Sequence, residues 1–360
     1  MKTWVVVINW QRWFDTALCL ESLLRSDEPD YGVVVCDNGS QDESFERLQA
    51  WARGDIRIAP PAHPELARLV TPPLEKPIPY HVVKPQEPTV PPLPRPGGGR
   101  LILIRNEHNH GFAAGNNTAL QYLLANHAVR FVWILNNDTI VRPEALRLLR
   151  ERAERDPRIG MVGSTLRCFD HPDQIQAFGG ATYDAVRGLV TPLGYHSSAS
   201  SPFPPLSDVE SRMDYVIGAS MLVSRAFLDK VGLMDADHFL YFEELDWALR
   251  GRQQGYRLAW VPESVVFHKE GSSTESNRGV RHPGKQRADF HLVLSRLMLH
   301  RKWKGWFWLL GCLQFAAFFG KAVLRQDVTR MNILVQAMRG YRQWAKKGTP
   351  AWQLVFRPQP

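Results

Sequence analysis

The run Arg130-Phe-Val-Trp-Ile-Leu-Asn-Asn-Asp138 constrains the fold of this chain more than any other segment. Its apolar half is the short, continuous kind that forms a strand covered on both faces. It then stops abruptly in two amides and a carboxylate. In an open α/β sheet the ligand crevice lies outside the carboxyl ends of the strands, so Asn136, Asn137 and Asp138 are aimed at the edge where ligands collect. Taken alone, the same residues would serve as an ordinary strand cap. Two other runs end alike: Trp4-Val-Val-Val-Ile8 passes into Asn9 and Trp10, and Val33-Val-Val-Cys36 into the turn Asp37-Asn-Gly-Ser40.

The first 53 residues therefore read as a βαβ unit, with helices at Phe14–Leu24 and 45–52. Residues 60–99 hold half of the 26 prolines and end in three glycines, which predicts an inserted, extended loop without helix or strand. Arg100–Arg105 resumes as strand, Gly115–Asn126 as helix, Phe131–Leu135 as the central strand and Pro143–Arg155 as helix. Ile159–Cys168 and Tyr215–Val223 are further strands, and the Gly-, Ser- and Pro-rich stretch around 188–207 is expected to be an acceptor-side loop. Phe242–Gln254 has helical periodicity and Arg257–Phe267 returns to strand. With 44% hydrophobic residues the chain can bury one large core and a smaller appendage. Cys19, Cys36, Cys168 and Cys312 lack metal or redox spacing and read as reduced, cytosolic thiols.

Five stretches taken in order carry the functional signal: Asp37-Asn-Gly-Ser40, Asn109-His-Gly-Phe-Ala-Ala-Gly-Asn-Asn117, Asn136-Asn-Asp138, Phe239-Leu-Tyr-Phe-Glu-Glu-Leu-Asp246 and His268-Lys-Glu-Gly-Ser-Ser273. Together they resemble the family 2 glycosyltransferases, particularly the rhamnosyltransferase-like branch. The resemblance implies an α/β, Rossmann-like GT-A fold with a mixed central sheet flanked by helices, over residues 1–275. It also implies a division of labour. Ile8, Asn9, Trp10, Asp37, Asn38, Asn109, Gly111, Phe112, Gly115, Asn116, Asn136 and Asn137 would hold the nucleotide sugar, with Asp37 accepting a hydrogen bond from the pyrimidine imide or the ribose. Gly218, Ala219 and Trp247 would face the acceptor. The glycine run at 111–115 is not the dinucleotide fingerprint, which argues against NAD, while the helix start there favours anions.

A transferase of this type must steady a departing diphosphate and take a proton from the attacking hydroxyl. The resemblance makes Asp138 and His268 the ligands of a Mg²⁺ or Mn²⁺ ion. Where the family usually presents Asp-x-Asp, this chain has Asn136, so one carboxylate is missing and a weak, substrate-dependent metal site is expected. Glu244 is the expected general base and Glu243 its supporting neighbour, where the family commonly has Glu-Asp; Glu243 or Asp246 could take the role instead. The implied reaction is a single displacement with inversion, from a dTDP- or UDP-linked sugar, with L-rhamnose favoured, to a glycan or lipid-linked acceptor in cell-surface polysaccharide synthesis. Two other functions share part of this pattern. A sugar nucleotidyltransferase needs a glycine- and lysine- or arginine-rich loop after the first strand, and Asn9-Trp-Gln-Arg-Trp13 is not glycine-rich. An inactive scaffold of a polysaccharide assembly complex would have no need of Asp138, Glu244 and His268 together.

The net charge of +8 calls for an anionic partner. Between Arg281 and Lys347 basic residues far outnumber the two acids, Asp289 and Asp327, and are interleaved with tryptophan and phenylalanine. That pattern suits an anionic membrane surface and not a nucleic-acid groove. Residues 276–360 are thus expected to form a basic-aromatic helical, membrane-associating extension. Gly305–Gly320 falls short of the roughly twenty residues a bilayer requires, flanked by Lys302, Lys304, Lys321 and Arg325. The expectation is an interfacial helix, with the enzyme peripheral on the inner face of the cytoplasmic membrane; a helix buried against its own domain or a dimer partner is the main competing reading, and a span through tilt and extension to Leu324 the other.

Overall fold

The computed structural model describes residues 3–84, 100–269, 282–303, 305–349, 353–354 and 356. Residues 85–99, Gly271-Ser-Ser273 and Lys304, on which some expectations fall, lie outside the described residues. β1 (Thr3–Asn9), α1 (Trp13–Leu23), β2 (Tyr31–Asp37) and α2 (Ser44–Arg53) open the chain. α3 (Pro64–Val70), β3 (Tyr80–Val83), β4 (Arg100–Arg105), α4 (Gly111–Asn126), β5 (Phe131–Asn136), β6 (Thr139–Val141) and α5 (Ala145–Arg155) follow. Next come β7 (Ile159–Cys168), β8 (Ile175–Phe178), β9 (Gly180–Asp184), β10 (Leu189–Pro192), α6 (Leu206–Glu210), β11 (Tyr215–Val216), β12 (Ser220–Ser224), α7 (Arg225–Val231), α8 (Glu243–Gln253) and β13 (Arg257–His268). Long helices α9 (Pro283–Lys302), α10 (Trp306–Leu324) and α11 (Val328–Lys347) close it.

The large sheet runs β3-β4-β2-β1-β5-β12-β7-β13-β6, with β8 paired to β7. β3, β4, β2, β1 and β5 are parallel; β12 enters antiparallel between β5 and β7, and β6 runs antiparallel on β13. Both faces are covered because successive side chains of a strand point to opposite sides. Val5, Val7, Val33, Val35, Trp133 and Leu135 pack into one core with α1, α2 and α5, while Trp4, Val6, Val34, Val132 and Ile134 pack into the other with α4, α7 and α8. Each fully buried side chain of this size contributes about 1.5–3 kcal/mol. A three-stranded antiparallel sheet, β10-β9-β11, stands beside the main one.

The described part of the proline-rich insertion differs from the expected bare loop. Pro64 occupies the first turn of α3, where its missing N–H costs nothing, and Leu66 and Val70 are buried beneath. β3 pairs on one side only, at the edge of the sheet. Tyr215–Val223 is likewise two strands, since Ile217, Gly218 and Ala219 leave the sheet between β11 and β12, and β10 lies within the stretch expected to be an acceptor-side loop.

α9 docks along the sheet domain. Ser295 Oγ donates to the Leu240 carbonyl (2.8 Å), Lys302 Nζ reaches Asp246 Oδ1 (2.8 Å), and Trp303 Nε1 donates to the same oxygen (3.1 Å). Phe290, Leu294, Leu297 and Met298 of α9 form a separate core with Ile333, Ala337 and Tyr341 of α11.

Candidate active site

The carboxyl ends of β1, β2 and β5 are tied together by one chain of polar side chains. Asn137 Nδ2 donates to Thr16 Oγ1 (2.9 Å), Thr16 to Asn9 Oδ1 (2.7 Å), and Asn9 Nδ2 to Asp37 Oδ2 (2.6 Å). Asp37 also accepts from the Ser40 hydroxyl (2.7 Å) and the Ser40 N–H (3.0 Å). These groups are buried and mutually satisfied, so they form a rigid floor. Above it opens a cavity of about 640 Å³, and all five sequence stretches contribute to its wall.

Register explains why Asp138 and His268 meet. β13 lies antiparallel to β6 with His268 opposite Thr139, the residue after Asp138, and the Lys269 N–H donates to the Asp138 carbonyl (3.0 Å). His268 Nε2 stands 3.3 Å from Asp138 Oδ1 and 3.3 Å from the Asn136 amide nitrogen. On its other side, Nδ1 is 2.9 Å from Gln176 Oε1, a contact that orients the ring with Nε2 toward Asp138 and Asn136. Two ligands of one octahedral ion stand about 3 Å apart, so this donor set fits a divalent cation. Among the described residues no three His, Cys, Asp or Glu side chains cluster. The remaining ligands would therefore be oxygens of the substrate and water.

Glu243 and Glu244 reach the opposite wall through an unusual turn. Tyr241 and Phe242 both have φ of 69°, a left-handed conformation that strains residues of this size by about 1–3 kcal/mol each. The strain is held by packing: Phe242 is buried against Tyr183 and Leu299, and Ser295 fixes the Leu240 carbonyl. α8 thus starts with its acids facing the cavity. Glu243 is almost fully buried, and its Oε2 has no hydrogen-bond partner among the described residues. Burial first, and the charge of Glu244 second, hold its carboxyl well above the usual range. Glu244 is also raised by burial, but its Oε1 accepts the Gly218 N–H (3.2 Å), which favours the ionised form. Of the pair, Glu243 is held further above the usual range, so Glu244 is the acid that ionises more readily.

Ile8, Trp10, Asn38, Asn109, Gly111, Phe112, Asn136, Asn137, Gly218 and Ala219 line the cavity as expected. Asn38 Nδ2 bonds Asn109 Oδ1 (3.1 Å) and the Gly111 carbonyl (2.9 Å), so it also anchors the loop before α4. The expected anion-favouring start of α4 is partly spent inside the protein: the Gly111 N–H donates to Asn109 Oδ1 (2.9 Å) and the Phe112 N–H to the Phe239 carbonyl (2.7 Å).

Five expected contacts are not on the wall. Asn9 and Asp37 are fully buried in the floor network, where both Asp37 oxygens are taken. Gly115 makes room for Asn38, whose Nδ2 would lie 2.8 Å from a Cβ there. Asn116 turns back on its own helix, donating to the Phe112 carbonyl (2.9 Å). Trp247 is a core residue packed on Phe227, with Nε1 bonded to the Gly232 carbonyl (2.9 Å).

Sequence reasoning missed Gln11, Arg12, Ile217, and Gly284, Arg287, Ala288 and His291 of α9, and gave Phe239–Tyr241 a place in a motif but no role. The α9 residues lie beyond residue 275, where the domain boundary was expected. His291 stacks on Phe239 (4.4 Å between centroids), and burial with the nearby Arg287 charge pushes its pKa down to about 3. It is neutral at physiological pH, leaving Arg287 as the cation α9 brings to the wall.

The profile described as "Glycosyltransferase like family 2" matches residues 94–282. An N-acetylglucosaminyl-diphospho-decaprenol L-rhamnosyltransferase of Mycobacterium tuberculosis is 27% identical over 158 residues, 40% of this chain and 48% of its own length. The low-salt glycan biosynthesis hexosyltransferase Agl10 of Haloferax volcanii is 24% identical over 165 residues, 45% and 50% respectively. The chain spans about half the length of these curated relatives. Among solved structures, the mannosyltransferase PcManGT of Pyrobaculum calidifontis, in complex with GDP-Man and Mn²⁺, superposes with a TM-score of 0.51 at 16% identity, covering 96% of this chain and 88% of that one. This likeness shows the fold, the mixed GT-A sheet with its flanking helices.

Proposed function

The chain belongs to glycosyltransferase-like family 2, and on that premise we propose that it transfers a sugar, with inversion, from a nucleoside diphosphate donor to a hydroxyl of a glycan or lipid-linked acceptor. The observation that carries this reading is the convergence of Asp138, His268 and Glu244 on one cavity from three distant parts of the chain. The donor diphosphate lies toward Asp138 and His268, whose donor atoms suit Mg²⁺ or Mn²⁺. When bound, such an ion neutralises charge on the departing diphosphate. Arg287 adds a positive charge on the wall that acts on the same diphosphate, beside a metal site left weaker by Asn136.

Glu244 takes the proton of the acceptor hydroxyl. Its Oε1 is held by the Gly218 N–H, which places the base beside the small residues that leave room for an acceptor ring. Glu243, held well above the usual range by burial and by the charge of Glu244, resists placing a second negative charge beside the entering nucleophile. The donor we favour is a dTDP- or UDP-linked sugar carrying L-rhamnose, in keeping with the named activity of the mycobacterial relative.

The test is a panel of nucleoside diphosphate sugars with and without Mn²⁺, read by thermal stabilisation. A saturating donor at a hundred times its Kd stabilises the folded state by about 2.7 kcal/mol. A single preferred donor, bound more tightly with the metal, is the expected result. No stabilisation by any nucleotide sugar would overturn the proposal.

A further inference from the structure

α10 presents an apolar face to solvent. Leu309, Leu313, Ala316, Ala317, Val323 and Leu324 recur at helical spacing and are all exposed, Leu309 at 60% and Leu313 at 57%. A surface helix ordinarily turns its apolar stripe inward. Here the inward face is committed elsewhere: Trp308 stacks on Tyr341 of α11, Phe318 lies under Arg296 of α9, and Gln314 is buried. Gln314 Nε2 donates to the Ala185 and Val186 carbonyls, at 3.0 Å to the second, which seats the tip of the β9–β10 hairpin on the middle of the helix. That tip adds Val186 and Leu189, 63% and 54% exposed, with Arg187 between them.

We propose that the β9–β10 tip and α10 form one bipartite surface that binds an anionic lipid bilayer. The charge around it is complementary: Arg187, Lys321, Arg325 and Arg330 are exposed beside the apolar residues, each worth about 1 kcal/mol near an acidic leaflet. Phe307–Leu324 meets the length and composition of a membrane span, with 17% of it buried. A crossing is nonetheless incompatible with the packing, because it would carry the hairpin, Arg296 and the α9–α11 core into hydrocarbon with the helix. α10 lies on the surface. The hairpin couples that surface to the site, since β9 pairs with β11, which leads directly into Ile217, Gly218 and Ala219 on the cavity wall.

The experiment uses the full chain with sedimented vesicles of phosphatidylcholine alone or mixed with phosphatidylglycerol. Two double variants are compared, Val186→Asp with Leu189→Asp and Leu309→Asp with Leu313→Asp, all at exposed positions. The wild-type chain should pellet with the mixed vesicles, weakly with neutral ones and weakly in high salt. Each double variant should bind about tenfold more weakly or worse, with an unchanged thermal melt. Should the α10 variant melt early, Leu324→Asp at the exposed end of the helix replaces it. Hairpin variants that bind like wild type would overturn the proposal. So would a concentration-dependent dimer, dissolved by the same substitutions and indifferent to lipid, which would assign the face to a second copy.

Discussion

Gly218→Ala isolates the position of the proposed base from its chemistry. A Cβ built on Gly218 lies 2.7 Å from Glu244 Oε1 and 3.1 Å from the Phe112 ring. Ordinary contact begins at 3.4 Å, so the carboxylate must retreat by at least 0.7 Å. The atom that moves is the far end of a flexible side chain facing a cavity, and stability should change by less than about 1 kcal/mol. Catalysis is less forgiving, because a displacement of about 1 Å at a reacting group can cost on the order of 10²-fold. The retreat also strains the Gly218 N–H contact that favours the ionised carboxylate. We expect kcat for sugar transfer to fall about 10- to 100-fold while the thermal shift produced by donor alone is retained. The assay is initial-rate transfer beside donor titration by thermal shift. Wild-type turnover in Gly218→Ala would refute the placement of the base at Glu244, and loss of donor binding would move Gly218 to the donor side.

Glu244→Gln should keep donor binding and lose transfer by at least about 10²; in the wild-type enzyme the acidic limb of the kcat/KM profile should lie above the ordinary glutamate range, with activity lost as pH falls through it. Glu243, with its folded pKa raised, lends stability that is present at low pH and lost as pH rises through that value. Glu243→Gln cannot ionise, so its melting temperature relative to wild type should be higher at pH 8 than at pH 5, and equal offsets at the two pH values would remove the buried-acid assignment. Gln176→Leu removes the group that orients the His268 ring and should weaken Mn²⁺-dependent stabilisation by donor about 10- to 100-fold, an effect visible without any turnover; unchanged metal dependence would detach His268 from the cation.

The parts of the site legible in the sequence are those whose placement follows from strand direction. An apolar run that ends in Asn136-Asn-Asp138 needs only the parallel sheet to put its amides and carboxylate at the crevice, and β7 begins and ends where its pattern predicts. What stayed hidden depends on contacts between distant segments. Asp37 and Asn137 look equally available in the sequence, yet Asp37 is consumed by Asn9 and Ser40. Nothing local marks Tyr241 and Phe242 as left-handed, since bulky aromatics are the residues least suited to it. Arg287 and His291 reach the wall because Ser295, Lys302 and Trp303 hold α9 against the domain, a docking that no motif encodes. The proline-rich segment misled for the opposite reason: Pro64 looks like a breaker but sits where a helix tolerates it.

The grip of Lys302 and Trp303 on Asp246 has a practical corollary. Asp246 is wholly enclosed one turn after Glu243, and its charge is met by Arg250 from its own helix and by these two groups from α9. Trimming the polypeptide before α9 would remove two of the three groups that meet this carboxylate and leave it to Arg250 alone, beside the acid pair. The carboxyl-terminal helices are therefore no detachable anchor, and expression of the sheet portion by itself should give insoluble or inactive material.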